Sequence, residues 1–235
     1  MTGESLSLAF FDGRRGIHGS ARAGATLLFK DGKPSALAGG PEVERSGEGW
    51  RSRLADHLEL GFEPVAEPVD LPGARVHLCQ VSGTAEGTAV DCLGTATVTT
   101  TPPPWSELDA VRAISALFDT QHAVFLMARR PRGALGHGEE RVSAMLLAEG
   151  SPVAVETARI STVYDGDGRQ RSGGIELWLP GEEFPRRVSG TAQAGASLEL
   201  EGLEVGVAVF TWSMEGREGL GGYELAVRSE GPVAA

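Results

Sequence analysis

The pentapeptide VSGTA at Val81–Ala85 returns unchanged at Val188–Ala192, 107 residues further along the chain. The tetrapeptide AFFD at Ala9–Asp12 returns as ALFD at Ala116–Asp119 with the same offset. Either short match alone would be expected by chance in a sequence rich in Gly, Ala and Val, but a shared offset indicates a tandem duplication. We therefore predict that the 235 residues form two similar halves, 1–110 and 111–235.

The local pattern within each half predicts β-strands. Leucine and valine occupy the odd positions of residues 203–209, and Leu6, Leu8 and Phe10 alternate with small residues. Such a period of two places one set of side chains on each face of a sheet. Short runs of this kind are separated by turn residues, among them Asp31-Gly32, a pair typical of tight hairpins. The fold class is therefore all-β and antiparallel.

One segment fits a helix as well as a strand. Near-helical spacing is shared by Trp105, Leu108, Val111, Ile114 and Phe118. The duplication aligns residues 114–119 with the strand that opens the first half, and this alignment favours the strand. We predict a hairpin over residues 111–131 that turns at Asp119–His122, with at most one helical turn after Pro104.

Composition excludes several classes of partner. The net charge is −11, from 32 acidic and 21 basic residues, whereas nucleic-acid binding relies on basic surfaces. No apolar run approaches the ~18 residues that span a bilayer. The first residues, MTGESLSLAFF, contain an acid and no lysine, so we expect no secretory signal and a cytoplasmic location. No phosphate-binding loop, nucleophile elbow or zinc-protease motif is present, and we expect no cofactor.

The two cysteines, Cys79 and Cys92, stand symmetrically about Ala85-Glu86. A hairpin centred there would place them opposite each other, which permits a disulfide, although a reducing cytosol favours two buried thiols. Two cysteines also exclude a four-cysteine zinc site. Asp165-Gly-Asp-Gly resembles the start of a calcium loop, but the later ligand positions hold Arg and Gln, so a hairpin turn explains it better. We expect no metal site.

A loop inserted into the second half carries the candidate catalytic groups. Residues 132–143 have no counterpart in the first half and contain His137, Glu139 and Glu140 between glycines. An imidazole beside carboxylates is suited to proton transfer, and inserted loops often carry specific activity. The alternative is a mobile hydrophilic loop without a chemical role.

Four aromatic residues are candidates for ligand binding. Tyr164, Trp178, Trp212 and Tyr223 all lie in or beside predicted strands of the second half. Inside a small barrel such rings can line an apolar cavity while their polar atoms orient the ligand. The alternative is that they fill a core.

Six segments, all of them in the second half, resemble the lipocalin-like double-barrel superfamily, which includes carotenoid 1,2-hydratase (hydroxyneurosporene synthase). The segments are LFD at Leu117–Asp119, ARRPRG at Ala128–Gly133, GHGEE at Gly136–Glu140, STVYDGDGRQRSGGIELW at Ser161–Trp178, FPRRVSG at Phe184–Gly190 and MEGREGLGGYEL at Met214–Leu225. The resemblance implies two tandem lipocalin/calycin-like antiparallel β-barrels and a hydrophobic substrate of the isoprenoid, lipid or secondary-metabolite class.

Three functions follow from these observations. The first is a protein that binds a hydrophobic small molecule in a β-barrel cavity. The second is a cofactor-independent hydratase or cyclase acting on an alkene-bearing isoprenoid, with Glu139 or Glu140 as the acid and Trp178 and Trp212 stabilising a carbocation. The third is a scaffold whose barrels are filled by side chains. The sequence leaves the ligand, the half that binds it and the oligomeric state open.

Overall fold

The computed structural model describes residues 5–135 and 137–228, and within them the chain is built of antiparallel strands. The first sheet contains β1 (Ser5–Asp12), β2 (Ile17–Arg22), β3 (Ala25–Lys30), β4 (Lys33–Ala38), β5 (Glu42–Ser46), β6 (Gly49–Leu54), β7 (Leu58–Pro64), β8 (Val69–Leu71), β9 (Ala74–Ala85) and β10 (Thr88–Thr99). The second sheet contains β11 (Leu108–Leu117), β12 (Ala123–Pro131), β13 (Arg141–Ala148), β14 (Ser151–Ala154), β15 (Thr157–Tyr164), β16 (Gln170–Trp178), β17 (Arg186–Leu200), β18 (Leu203–Met214) and β19 (Arg217–Arg228).

The two sheets have the same strand order. The first runs β4-β3-β2-β1-β10-β9-β7-β6-β5, with the short β8 beside β9, and the second runs β14-β13-β12-β11-β19-β18-β17-β16-β15. In each half the first strand pairs with the last at the middle of the strand order, and each sheet is curled. In the second sheet β15 also lies against β13, which brings the two ends together. We call the curled sheets the first and second barrel; the all-β tandem double-barrel architecture is confirmed.

The repeated VSGTA occupies strands that are not equivalent. One copy lies in β9, the sixth strand of its sheet order, and the other in β17, the seventh. A Cβ atom on Gly83 would lie less than 3 Å from the carbonyl oxygen of Glu59, whereas one on Gly190 would lie less than 3 Å from the Trp212 ring. The glycine of the repeated pentapeptide is therefore required for a different reason in each copy. The shared strand order of the two sheets is stronger evidence of duplication than the pentapeptide.

The segment that fitted both a helix and a strand forms the predicted hairpin. β11 and β12 pair along their length and turn at residues 118–122, where the amide of Phe118 donates to the carbonyl of His122. A single turn precedes β11, closed by a hydrogen bond from the Glu107 amide to the Pro104 carbonyl. The predicted hairpin turn at Asp165 is also confirmed, because its carboxylate accepts hydrogen bonds from the amides of Asp167 and Arg169.

The cysteine geometry differs from the prediction. Cys79 pairs with Gly94 and Cys92 pairs with Val81, so the two residues are two positions out of register rather than opposite. Both are free thiols, with Cys79 buried and Cys92 half-buried. The reason is that the β9–β10 turn is centred on Glu86-Gly87, one residue beyond the point of symmetry assumed from sequence. Burial raises the pKa of each thiol to about 12.

Three apolar cores organise the molecule, one inside each barrel and one between them. Along β1, Leu8 and Phe10 point into the first barrel, whereas Ala9 and Phe11 point towards the second. The core between the barrels also contains side chains from both sheets, such as Phe29 and Phe125. β1 is therefore covered on both faces, and the two barrels pack through their outer surfaces. Among the described residues no helix has the length and apolar character needed to cross a membrane.

Candidate ligand site

A charged cluster lies inside the second barrel, at positions that alternation directs inward. Arg112 on β11, Arg130 on β12 and Glu140, immediately before β13, lie on three adjacent strands. The Glu140 carboxylate accepts a hydrogen bond from Arg130 Nε at 3.2 Å and forms an ion pair with Arg112 Nη2, also at 3.2 Å. The side chains of Arg112 and Glu140 are 2% and 1% exposed. Buried charges are stable only when they are paired in this way.

A tyrosine spans the interior of the same barrel. Tyr223 on β19 is fully buried, and its hydroxyl lies 2.7 Å from the hydroxyl of Thr162 on β15. Burial raises the pKa of Tyr223 to about 12, although the Arg112 charge and the Thr162 hydrogen bond act in the opposite direction. The phenol therefore remains protonated at neutral pH and can donate a hydrogen bond.

Stacked aromatic rings fill the rest of this interior. Phe210 and Trp212 stack with their centroids 4.8 Å apart, and Phe210 also contacts Tyr223 with a centroid separation of 5.5 Å. Trp212 is fully buried over Gly190 and Gly173, whose missing side chains leave room for the indole. The barrel is thus occupied by large side chains along much of its length.

The structure brings some of the sequence-predicted site residues together. Glu140, Trp212 and Tyr223 all lie in the interior of the second barrel. Tyr164 is half-buried and close enough to Tyr223 to influence its pKa. These four residues therefore share one region, although they come from four separate strands or their ends.

The other predicted residues are placed elsewhere. Glu139 is exposed and accepts a hydrogen bond from the Leu135 amide at 3.0 Å. Trp178 lies on the face of β16 opposite to the buried Leu177, with the Arg159 guanidinium 5.0 Å from its ring centroid. His137 begins a short 3₁₀ turn, His137–Glu139, and its side chain lies outside the described part of the structure. Among the described residues, no group of three His, Cys, Asp or Glu is placed to hold a metal ion.

A cavity of about 510 Å³ lies between the barrels, whereas the sequence predicted a cavity inside one of them. Its wall on the first barrel is formed by the outward-facing side chains of β1, β2 and β10. Hydroxyl groups are common on this wall and belong to Ser5, Ser7, Ser20, Thr95, Thr97 and Thr99. The cavity lies there because the outer faces of the two barrels pack against each other through apolar side chains of both sheets and leave a space beside this contact.

The wall on the second barrel is largely apolar. It is formed by Val111, Ala113, Met127, Val205, Val207 and Ala226, together with Leu200 and Leu203 at one side. Ala113 is exposed although it lies on a central strand, which is consistent with open space in front of it. The linker residue Trp105 also contributes to the lining.

One ion pair joins the two walls. Arg22 on β2 of the first barrel pairs with Glu224 on β19 of the second, and both side chains are about three-quarters buried. The charge of Glu224 is the largest cause of the raised pKa of Arg22. A charge-assisted hydrogen bond at this position fixes the separation of the walls on one side of the cavity.

The sequence carries signals for some of these residues. Thr95, Thr97 and Thr99 alternate with apolar residues and so share one face of a strand. Arg112 shares its parity with Ile114, which placed it on an apolar face where a charged residue needs a partner. Neither signal names the partner, because the partners come from strands distant in sequence.

Comparison with solved structures identifies proteins of the same fold. An AttH-like protein from Nitrosomonas europaea superposes with a TM-score of 0.68 at 14% identity, covering 96% of this chain and 93% of that one. Kievitone hydratase from Nectria haematococca superposes with a TM-score of 0.61 at 10% identity, covering 97% of this chain and 89% of that one. Both are lipocalin-like double-barrel proteins, so the fold implied by the sequence resemblance is confirmed. No protein-family model and no curated protein sequence matches the chain.

Proposed function

We propose that this protein binds a hydrophobic small molecule in the cavity between its barrels. The observation that carries the proposal is the cavity itself: about 510 Å³, with an apolar wall from the second barrel. Small-molecule sites are commonly concave, mostly apolar and between about 300 and 1,000 Å³. If the core between the barrels served only to hold them together, we would expect it to pack at the density of a protein interior and to leave no such space.

The test is a fluorescence titration of the purified protein with pyrene, a neutral apolar probe. We expect saturable binding by the natural chain. The variant Ala113→Trp places a large side chain in the cavity and should reduce pyrene affinity by at least about tenfold, because the space is no longer available. The matched control is Ala89→Trp, at an exposed position of β10 outside the cavity, which should bind as the natural chain does.

Equal pyrene affinity in the Ala113→Trp and Ala89→Trp variants would contradict the proposed location. Mass spectrometry of an organic extract of the protein, purified from its source, then identifies the natural ligand. A stoichiometric isoprenoid or lipid would support the ligand class that the sequence resemblance implied.

A second candidate function is hydration of an alkene. It is favoured by the fold shared with kievitone hydratase and by a buried carboxylate, Glu140, in the same barrel as the Phe210–Trp212 stack. Hydration adds a proton to one alkene carbon and a hydroxyl from water to the other, and requires an acid that supplies the proton. Glu140 is held between two guanidinium groups, an arrangement that also serves a purely structural ion-pair network. Ligand binding is therefore the first proposal.

The hydratase candidate is tested with the extracted ligand incubated in ¹⁸O-labelled water. Catalysis predicts a product heavier by one labelled water, formed by the natural chain and by Glu139→Gln but not by Glu140→Gln. Far-UV circular dichroism establishes that Glu140→Gln is folded. An unchanged ligand in all three samples would reject this candidate without affecting the binding proposal.

A further inference from the structure

We infer that the cavity between the barrels takes a neutral, largely apolar molecule that carries hydroxyl or carbonyl oxygens along one side, with that side against the first barrel. The inference rests on the proposed function and adds the chemical class and the orientation of the ligand. Its basis is the difference between the two walls.

The hydroxyl groups of the first wall form one continuous patch. Ser5 is paired with Thr99 across β1 and β10, and Ser7 is paired with Thr97. Ser20 on β2 and Thr95 on β10 both flank Ala9, one step further along. Paired residues of antiparallel strands share a face, so the six hydroxyls that β1, β2 and β10 contribute to the lining lie side by side over three neighbouring strands.

These hydroxyls are available to a ligand. None of the six forms a hydrogen bond with any other residue that the structure describes. By contrast, Ser115 on the opposite wall already accepts a hydrogen bond from the Gly222 amide at 3.1 Å. A serine or threonine hydroxyl can donate one hydrogen bond and accept others, so the patch suits both hydroxyl and carbonyl oxygens.

The opposite wall offers little polarity. Val111 pairs with Ala226, and Ala226 pairs with Val205, so three adjacent members of one row are aliphatic where they face the cavity, and Arg129 follows beside Val111. In the next row Glu224 stands between Ala113 and Val207. A ligand between the walls therefore meets hydrogen-bonding groups on one side and mainly aliphatic groups on the other.

The charges of the lining favour a neutral ligand. Four of the described lining residues are charged: Arg22, Arg129, Glu201 and Glu224. The formal charges cancel, and Arg22 is already paired with Glu224. Arg129 donates to the Pro72 carbonyl at the edge of the cavity. Because the lining carries no net charge, it offers no overall field of opposite sign that would offset the lost hydration of a charged ligand.

The experiment compares pyrene with 1-pyrenemethanol, which adds one hydroxymethyl group to the same ring system. The variant Thr95→Val with Thr97→Val removes two hydroxyls and preserves side-chain shape. The control, Thr191→Val with Thr211→Val, alters a cross-strand threonine pair outside the cavity. We expect the first double variant to bind 1-pyrenemethanol about 3- to 10-fold more weakly, the effect of one lost hydrogen bond, and to bind pyrene unchanged.

Three results would overturn the inference, each in a different way. An unchanged affinity for 1-pyrenemethanol in the Thr95/Thr97 variant, or an equal change for both probes, rejects the hydroxyl wall while leaving a ligand cavity in place. An equal loss of 1-pyrenemethanol affinity in the Thr191/Thr211 control shows that the effect does not come from the hydroxyl groups of the cavity wall. Absence of binding of either probe by the natural chain rejects the proposed function itself.

Discussion

Replacement of Gly190 by alanine tests the packing of the second barrel. A Cβ atom at this position would lie less than 3 Å from three atoms of the Trp212 indole, which must move by about 1 Å to restore ordinary contact. The ring is also stacked on Phe210, with the two centroids 4.8 Å apart. Overpacking of this kind costs about 1–3 kcal/mol, and the lower chain entropy of alanine in the unfolded state offsets up to about 1 kcal/mol.

We therefore expect Gly190→Ala to lower the free energy of unfolding by about 1–2 kcal/mol, measured by urea denaturation with circular dichroism and tryptophan fluorescence. The matched control is Gly166→Ala, in the turn between β15 and β16, where a Cβ would meet no atom within 4 Å. If the two variants unfold within about 0.5 kcal/mol of each other, the close packing of Trp212 over Gly190 is refuted.

Other predictions concern the buried tyrosine and the thiols. Tyr223→Phe removes the hydrogen bond to Thr162 and should lower the free energy of unfolding by about 1 kcal/mol; no change in urea denaturation would contradict that bond. Burial raises the pKa of Tyr223 from 10.0 to about 12, so between these pH values the unfolded chain loses the phenol proton while the folded chain keeps it. The free energy of unfolding should therefore fall as pH rises from about 10 to about 12. Tyr223→Phe should reduce this dependence on pH. Since burial also raises the pKa of Cys79 and Cys92 to about 12, a thiol reagent at about pH 8 should react with both only after unfolding; fast reaction in the native state would show that a thiol is accessible.

Much of the fold could be predicted because the sequence repeats its patterns locally. Alternation and turn residues predicted the strands, and the AFFD and ALFD segments correctly aligned the opening strands β1 and β11, which are both fourth in their sheet orders. The VSGTA match predicted the right architecture through a wrong local alignment, since its copies lie on non-equivalent strands. A short glycine-containing segment can recur because two unrelated contacts both exclude a side chain.

The position of the cavity could not be predicted in the same way. The pattern of residues 8–11, Leu-Ala-Phe-Phe, predicts a strand with one buried face. In the structure both faces are buried, because Phe10 lies inside the first barrel and Phe11 lies between the barrels. Whether the second face of a strand is covered depends on how the two sheets pack, which is a long-range property. The residues that line the cavity are therefore determined by the packing of the two barrels, which the pattern of a single strand does not predict.

The candidate site in the second barrel was partly predictable. Residue type predicts Glu140, Trp212 and Tyr223 as site residues, and the fold brings them into one interior. Residue type predicts Trp178 equally, yet its parity relative to Leu177 directs it to the other face of β16. The partner of Glu140, Arg112, lies 28 positions earlier in the chain, and only the adjacency of β11, β12 and β13 brings the two together.

The most direct test of the account is a crystal structure of the protein with 1-pyrenemethanol bound. We predict electron density for the pyrene between β1–β10 and β11–β19, with the hydroxyl towards Thr97 and the ring against Val207. Density for the ring inside the second barrel, beside Trp212 and Tyr223, would contradict the central claim that the ligand site lies between the barrels.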